Sequence, residues 1–321
     1  MITRPRILLV GAGATGQVFG WFLQAAGCEL SFLVKEKYAE EARRGFTLYE
    51  LGLFEPEPTP LRFSGFQVLT SPEQAAAQRW DEVWLCISST ALRAGGAVEA
   101  LAQATGDATW VMLQPALEDR DWLCQRVPPE RLVSGMIPFL SFHAPLRPEE
   151  PVPTPGTAFW FPPLSRGQFS GPEARLREVL QALQRGGYPA RRHDEVARAI
   201  AIPSAILTAV ITGLERAGWS FERLLEPRSL EQVLRATQEA VRIAAWRTKA
   251  SASSVLPLLR PTLFRMLAPV ASGAAPFDLE TYLRVHFTKV SDQTRWMLRE
   301  YITLGTQAGL PTEELRALSS P

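Results

Sequence analysis

The sequence predicts an α/β protein: a doubly wound parallel sheet over residues 1–168, followed by an all-helical domain over residues 169–321. Three observations carry that expectation. Short apolar runs alternate with helix-forming stretches through the first half. A glycine triplet lies between the first such run and the first helix. From Pro172 onward the apolar residues recur at helical spacing almost to the end.

In chain order, "RILLV" (6–10) reads as a strand and leads to a helix from Ala14. "LSFLV" (30–34) is a second strand, followed by "KEKYAEEARR". "EVWLCI" (82–87) precedes a helix from Leu92 to Ala104, and "TWVML" (109–113) precedes "LEDRDWLCQRV". "RLVSGMIPFL" (131–140) reads as one further strand. The proline-rich "APLRPEEPVPTPG" is a loop or edge, because proline cannot donate to a sheet ladder, and the short strand "GTAFWF" follows it. Beyond the boundary the helical pattern is capped or broken at Pro227, Pro257, Pro269 and Pro276.

A chain of 321 residues can build two cores. A net charge of +1 argues against general nucleic-acid binding and against electrostatic attachment to a membrane. The longest uncharged stretch, Ala199 to Leu214, is short for a bilayer span and contains Pro203. Cys28, Cys86 and Cys124 are far apart and form no metal-ligand pattern, so no metal is expected and the thiols read as reduced. With no signal-peptide pattern, the expected location is cytoplasmic. The long apolar C-terminal helices would suit a homodimer.

The stretch "LLVGAGATGQVFGWFL" places Gly11, Gly13 and Gly16 as GxGxxG, with Ala14 and Thr15 inside the turn. The first glycine permits the turn, the second lets backbone approach a pyrophosphate, and the third lets helix and strand pack closely. The helix start adds partial positive charge. In this context the motif predicts a Rossmann-type dinucleotide site. Where NAD-binding chains place an acid, the second strand ends in "FLVKEK", and Lys35 and Lys37 can neutralise a 2′-phosphate. NADP(H) is therefore the expected cofactor, although Glu36 lies between the two lysines and both also suit a solvated helix start.

These segments resemble the ketopantoate reductase (2-dehydropantoate 2-reductase) family. "GAGATG", "LSFLVKEKYAEEARRGFTLYE", "VWLCISS", "VMLQPALED", "VPPERLVSGM" and "GLPTEELRAL" carry the likeness; the second half matches more loosely and needs an insertion around residues 260–290. The resemblance implies a Rossmann domain, a helical substrate and dimerisation domain, and a substrate cleft between them. It also implies cofactor contacts from Ser88, Gln114 and Pro115. The family's functional residues are replaced, however. Its first lysine falls on Ser88, the asparagine of its Gln-Asn-Gly turn falls on Pro115, and its Lys-x3-Asn-x3-Asn row falls on Ser204, Thr208 and Thr212. Its carboxylate on the last long helix falls near Ser291–Gln293, where Asp292 or Gln293 can partly replace it. No asparagine occurs anywhere in the chain, so no other alignment restores those amides.

A four-residue repeat puts Ser204, Thr208 and Thr212 on one helix face, where they can bind a polar substrate or bond back to the preceding turn. A serine hydroxyl alone is a poor acid, so a reductase needs another proton source. The stretch 278–302, read as one helix, offers it. Leu283, Phe287, Val290, Met297 and Tyr301 make a core stripe, and Tyr282, His286, Lys289, Gln293 and Trp296 flank it. His286 and Lys289 are the candidate catalytic groups with Ser204; Thr208, Thr212, Tyr282, Gln293 and Ser253 are candidate substrate contacts. Ser253 stands in "KASASS", which resembles the family's serine-containing substrate loop. The plainer reading makes His286 a half-buried histidine and Lys289 a solvated one. His143 is a lesser candidate, and His193 reads as a helix start with Asp194 as its cap.

Two functional readings follow. One is an NADPH-dependent reductase acting on a small carbonyl or imine substrate other than ketopantoate. The other is an NADP(H)-binding protein without redox turnover, either a sensor or a scaffold for non-redox chemistry. A lesser third reading keeps NAD and an opine-like dehydrogenase reaction.

Overall fold

A computed structural model describes residues 4–53, 58–150 and 152–320. Pro151, in the proline-rich loop, lies outside the described residues, as do residues 1–3 at the start of the chain. The strands are β1 (Arg6–Val10), β2 (Glu29–Leu33), β3 (Phe46–Glu50), β4 (Leu61–Phe63), β5 (Gln67–Leu69), β6 (Glu82–Leu85), β7 (Thr109–Met112), β8 (Leu132–Gly135), β9 (Leu140–Ala144), β10 (Gly156–Trp160), β11 (Gly167–Ser170) and β12 (Ala190–Arg192). Eight of them form one sheet in the order β12-β11-β8-β7-β6-β1-β2-β5, parallel except where β11 meets β8. The middle of each central strand is buried and apolar, as a sheet covered on both faces requires. The other four, β4-β3-β10-β9, form a second sheet.

The helices of this first unit are α1 (Ala14–Ala25), α2 (Ala39–Arg43), α3 (Pro72–Ala76), α4 (Ser89–Leu92), α5 (Ala97–Ala104), α6 (Asp119–Cys124) and α7 (Glu173–Arg185). One core gathers Phe19, Phe22, Trp84, Phe139, Phe159 and Tyr188. The other, around Trp110, Val98 and Leu123, involves α5 and α6. The expected strand 131–140 is two strands, β8 in the large sheet and β9 in the small one. Pro138 lies in the irregular stretch that separates them.

The division between units falls later than the sequence pattern suggested. Residues 1–114 and 118–196 form one unit; residues 115–117 and 197–321 form the other. The expected boundary at 168/169 misses because β11 and β12 extend the large sheet beyond it, with α7 between them. Residues 169–196 are therefore not part of an all-helical domain.

The second unit contains α8 (Val196–Arg216, whose first residue belongs to the first unit), α9 (Phe221–Leu224), α10 (Pro227–Thr248), α11 (Pro261–Ala274), α12 (Leu279–Lys289), α13 (Ser291–Gln307) and α14 (Glu313–Ser319). Its core joins Ala205, Ala209 and Ile211 of α8 with Ala240 and Ile243 of α10, Met297 and Tyr301 of α13, and Leu315 of α14. Buried Glu239 accepts the Leu315 N–H at 2.9 Å and the Glu314 N–H at 3.3 Å. Its negative charge thereby satisfies the start of α14. Among the described residues α8 is the one helix long and apolar enough to cross a membrane. Length therefore does not exclude a span, as the uncharged stretch alone suggested. Half of its apolar window is buried, and its core residues account for that composition.

The stretch 278–302 is also two helices. Val290 leaves helical geometry, and Ser291 and Asp292, residues that favour a helix start, open α13. The continuous flank from Tyr282 to Trp296 expected from one helix is thus interrupted.

Candidate dinucleotide site and the polar groups of the helical unit

The carboxyl ends of β7, β6, β1 and β2 lie side by side, and hydrogen bonds tie their following turns together. Gly11 N–H donates to Leu33 O at 2.9 Å, and Cys86 N–H donates to Val10 O at 2.9 Å. The three glycines are distinct in their surroundings. Gly11 has φ +98°, where a side chain would be strained. A Cβ at Gly16 would stand 2.2 Å from Gly11 O, so α1 approaches the turn only because that atom is missing. A Cβ at Gly13 would meet nothing within 4 Å. Gly13 is the N-cap of α1, with no side-chain cap and no acid in the first turn; Ala14 and Thr15 begin the helix. Open space in front of uncapped N–H groups is what an anionic group needs.

Lys35 is exposed just beyond β2, after Val34, at the N-cap of a short 3-10 turn. Lys37 differs: its Nζ lies 4.7 Å from the centre of the Tyr38 ring, a cation–π contact. Ser88 caps α4, accepting the Ala91 N–H at 3.1 Å, and shares a 2.9 Å hydrogen bond with Thr90. Gln114, expected as a cofactor contact, instead has a structural role. Its Nε2 donates to Leu85 O at 2.8 Å and Ile87 O at 2.7 Å, while its Oε1 accepts the Leu113 N–H at 3.1 Å. Both amide protons are committed to pinning the end of β6, in a side chain only 3 % exposed.

Beyond these residues, sequence reasoning missed a buried polar cluster. Asp119, with no exposed surface, accepts a 2.7 Å hydrogen bond from Ser89 Oγ and pairs with the Arg93 guanidinium. Trp122 stacks against Arg126 at 3.6 Å and Arg93 at 5.2 Å. Nothing short-range marks Asp119, which pairs across about thirty positions. His143 is exposed on β9. His193 Nδ1 accepts the Glu195 N–H at 3.0 Å just before α8, and Val196, the first residue of α8, donates its N–H to Ser170 Oγ at 3.0 Å. Cys28, Cys86 and Cys124 are free thiols, each pushed up in pKa chiefly by burial, Cys28 to about 11. Among the described residues no group of three or more His, Cys, Asp or Glu could hold a metal ion.

In the second unit the hydroxyl row takes its helical role. Thr208 Oγ1 donates to Ser204 O and Thr212 Oγ1 donates to Thr208 O, each at 2.8 Å. Both threonines are buried and Ser204 is half-buried. With their protons bonded back to the helix, Thr208 and Thr212 are not donors for a substrate. Tyr282 is buried, and its ring lies 5.4 Å from that of His286, which is half-buried and also meets Phe287 at 4.9 Å. Lys289 is exposed in the last turn of α12, where a cation favours the helix dipole. It is not part of an enclosed cluster with His286. Gln293 lies across the break, in α13, and is half-buried. Ser253 is exposed in a loop, sharing a 2.8 Å hydrogen bond with Ser251. Lys249 ends α10 in left-handed geometry, φ 55°.

The carboxylate that α13 does bury is Glu300, not Asp292, which is exposed. Glu300 Oε2 accepts the Leu117 N–H at 3.0 Å, holding the 115–117 turn that contains Pro115. A signal for it was available: Glu300 falls within the core arc of Met297, Tyr301 and Leu304, where an acid needs a partner. Tyr301 is fully buried, and burial pushes its phenol well above the ordinary range.

A glycine turn with this packing, at the carboxyl edge of a parallel sheet and followed by a helical unit, defines a Rossmann-type α/β protein. More narrowly, residues 7–146 match the family model of ketopantoate reductase PanE/ApbA. The fold likeness extends across both units. A 2-dehydropantoate 2-reductase from Geobacter metallireducens GS-15 superposes with a TM-score of 0.67 at 17% identity, covering 98% of this chain and 97% of that one. A PanE/ApbA family ketopantoate reductase from Ralstonia eutropha JMP134 gives 0.68 at 16% identity, covering 98% and 96%. A D-mandelate dehydrogenase, solved with NADH and anilino(oxo)acetate, gives 0.68 at 14% identity, covering 98% and 96%. No curated protein matches the sequence.

Proposed function

We propose that this chain is an NADP(H)-dependent reductase acting on a small carbonyl or imine compound other than ketopantoate. The observation that carries this reading is the glycine turn: a Gly11 at positive φ, a Gly16 whose Cβ would clash with backbone, and an open Gly13 at the uncapped start of α1. Gly11, Gly13, Ala14, Thr15 and Gly16 would hold the pyrophosphate, and exposed Lys35 would pair with a 2′-phosphate. The cofactor supplies hydride. Ketopantoate is disfavoured because Ser88, Pro115, Ser204, Thr208 and Thr212 stand where the family likeness expects lysine or asparagine. That a D-mandelate dehydrogenase has the same fold supports a different substrate on this scaffold.

For the proton we assign His286. Imidazole ordinarily titrates near neutral pH, and this one is half-buried between aromatic rings. Ser204 and Gln293 are left as orienting groups for the substrate. Replacing His286 with Gln should lower kcat at least about a hundredfold, the usual size of a general-acid contribution, with little change in KM for NADPH. Turnover equal to the parent would remove His286 from the reaction. Lys35→Ala should weaken NADPH binding at least about tenfold, the size of a charged hydrogen bond, and leave NADH binding unchanged. Equal loss for both dinucleotides would refute the 2′-phosphate assignment.

The reading without turnover keeps one observation in its favour: the Thr208 and Thr212 hydroxyls donate to carbonyls of their own helix. Following NADPH absorbance over a panel of 2-oxo acids, aldehydes and imines separates the two. Binding with no consumption across the panel would favour a sensor or a non-redox scaffold.

A further inference from the structure

We infer that Gln17 and Thr157 are positioning residues that aim the Gly13 N–H at the pyrophosphate of a bound dinucleotide. The inference rests on the dinucleotide reading of the glycine turn and adds to it a pair outside the GxGxxG motif. Gln17, in α1, donates from Nε2 to Ala12 O at 2.9 Å, while its Oε1 accepts from Thr157 Oγ1 at 2.7 Å. Thr157 is 4 % exposed and is held in the middle of the second sheet, in register with Leu48 of β3 and His143 of β9.

The consequence follows from peptide geometry. The C=O of Ala12 and the N–H of Gly13 belong to one planar trans unit and point in opposite directions. Holding Ala12 O against Gln17 therefore turns the Gly13 N–H away from Gln17. Gly13 is exposed, and a Cβ there would meet nothing within 4 Å, so this side of the turn is open. The preceding residue is set as well, because Gly11 N–H is bonded to Leu33 O. Without Gln17 the Ala12–Gly13 plane would lose its side-chain restraint, and a phosphate would have to order it on binding. Ala12 O, which can only accept, fixes which way the Gln17 amide faces, and the Thr157 hydroxyl anchors the amide by donating to the oxygen left on the other side. The second sheet thus acts as a buttress for the glycine turn.

The test measures NADPH affinity at 25 °C by calorimetric titration of the full chain, together with the melting temperature of the unliganded protein. Gln17→Ala should raise Kd about tenfold and Thr157→Val about threefold, each by loss of a hydrogen bond. Thr157→Ser, which keeps the hydroxyl, should bind like the parent. A Kd within about twofold of the parent in both deletions, with only the melting temperature lowered, would overturn the proposal, because the pair would then serve stability alone. Failure of Thr157→Ser to restore affinity would overturn it too. If Gln17→Ala does not fold, the contrast between Thr157→Val and Thr157→Ser decides. A parent chain that binds neither NADPH nor NADH would instead defeat the dinucleotide reading itself.

Discussion

Gly16→Ala should remove measurable NADPH binding and lower stability by about 1–3 kcal/mol, the range for overpacking a tight contact. The new Cβ would stand 2.2 Å from Gly11 O, a backbone atom that cannot swing aside. Either α1 retreats from the turn or the turn opens, and both spoil the N–H groups at the helix start. Gly13→Ala provides the contrast. Its Cβ meets nothing within 4 Å, so the fold should melt at the parent temperature while affinity falls, because the methyl group occupies space a phosphate would use. Thermal melts and NADPH titrations of the two variants check this. Equal stability loss in both, or undiminished affinity in Gly16→Ala, would contradict the roles given to these glycines.

The second large effect concerns Glu82. This side chain is 4 % exposed at the start of β6, and its Oε2 accepts the Trp84 Nε1–H at 2.7 Å. Burial pushes its pKa up to about 7; the Trp84 bond opposes the rise, and the nearby Glu178 and Asp81 charges add to it. Between the ordinary carboxylate range and about 7 the folded chain therefore holds a proton that the unfolded chain has lost. Its contribution to stability is complete below the ordinary range and is lost as pH rises through about 7. The loss is at most roughly 3 kcal/mol, since each pKa unit corresponds to about 1.4 kcal/mol. Glu82→Gln keeps an acceptor for Trp84 and cannot ionise. The stability difference between variant and parent should thus move in favour of Gln as pH rises from about 4.5 to 8, then level off. Urea titrations at several pH values measure it, and a difference independent of pH would show that Glu82 does not titrate in this window.

Much of the first unit was legible because its determinants are local. Alternating apolar runs located β1, β2, β6, β7 and β10 to within a few residues, and the GxGxxG spacing located the start of α1. What went unread depended on chain that is remote in sequence. The pattern at 131–140 carries no sign that its two halves join different sheets. The short strands β11 and β12 are recognisable only once β8 offers an edge to pair with. Residues 278–302 have continuous helical periodicity, and a break at Val290 leaves that periodicity nearly intact while redirecting the residues beyond it.

The candidate site divides in the same way. Glycine, lysine and the absence of asparagine are properties of single positions, so a glycine turn, a basic strand end and the lack of any asparagine amide were decided by the sequence alone. Whether a polar side chain is available to a ligand depends on its hydrogen-bond partners, and those come from other elements. Tertiary structure therefore decided that Gln114 clamps β6, that Gln17 and Thr157 restrain Ala12, that Glu300 holds the Leu117 turn and that Asp119 is paired inside the first unit. A polar group buried without a partner costs more than most single contacts return, so folding assigns partners first and leaves the remaining groups for chemistry.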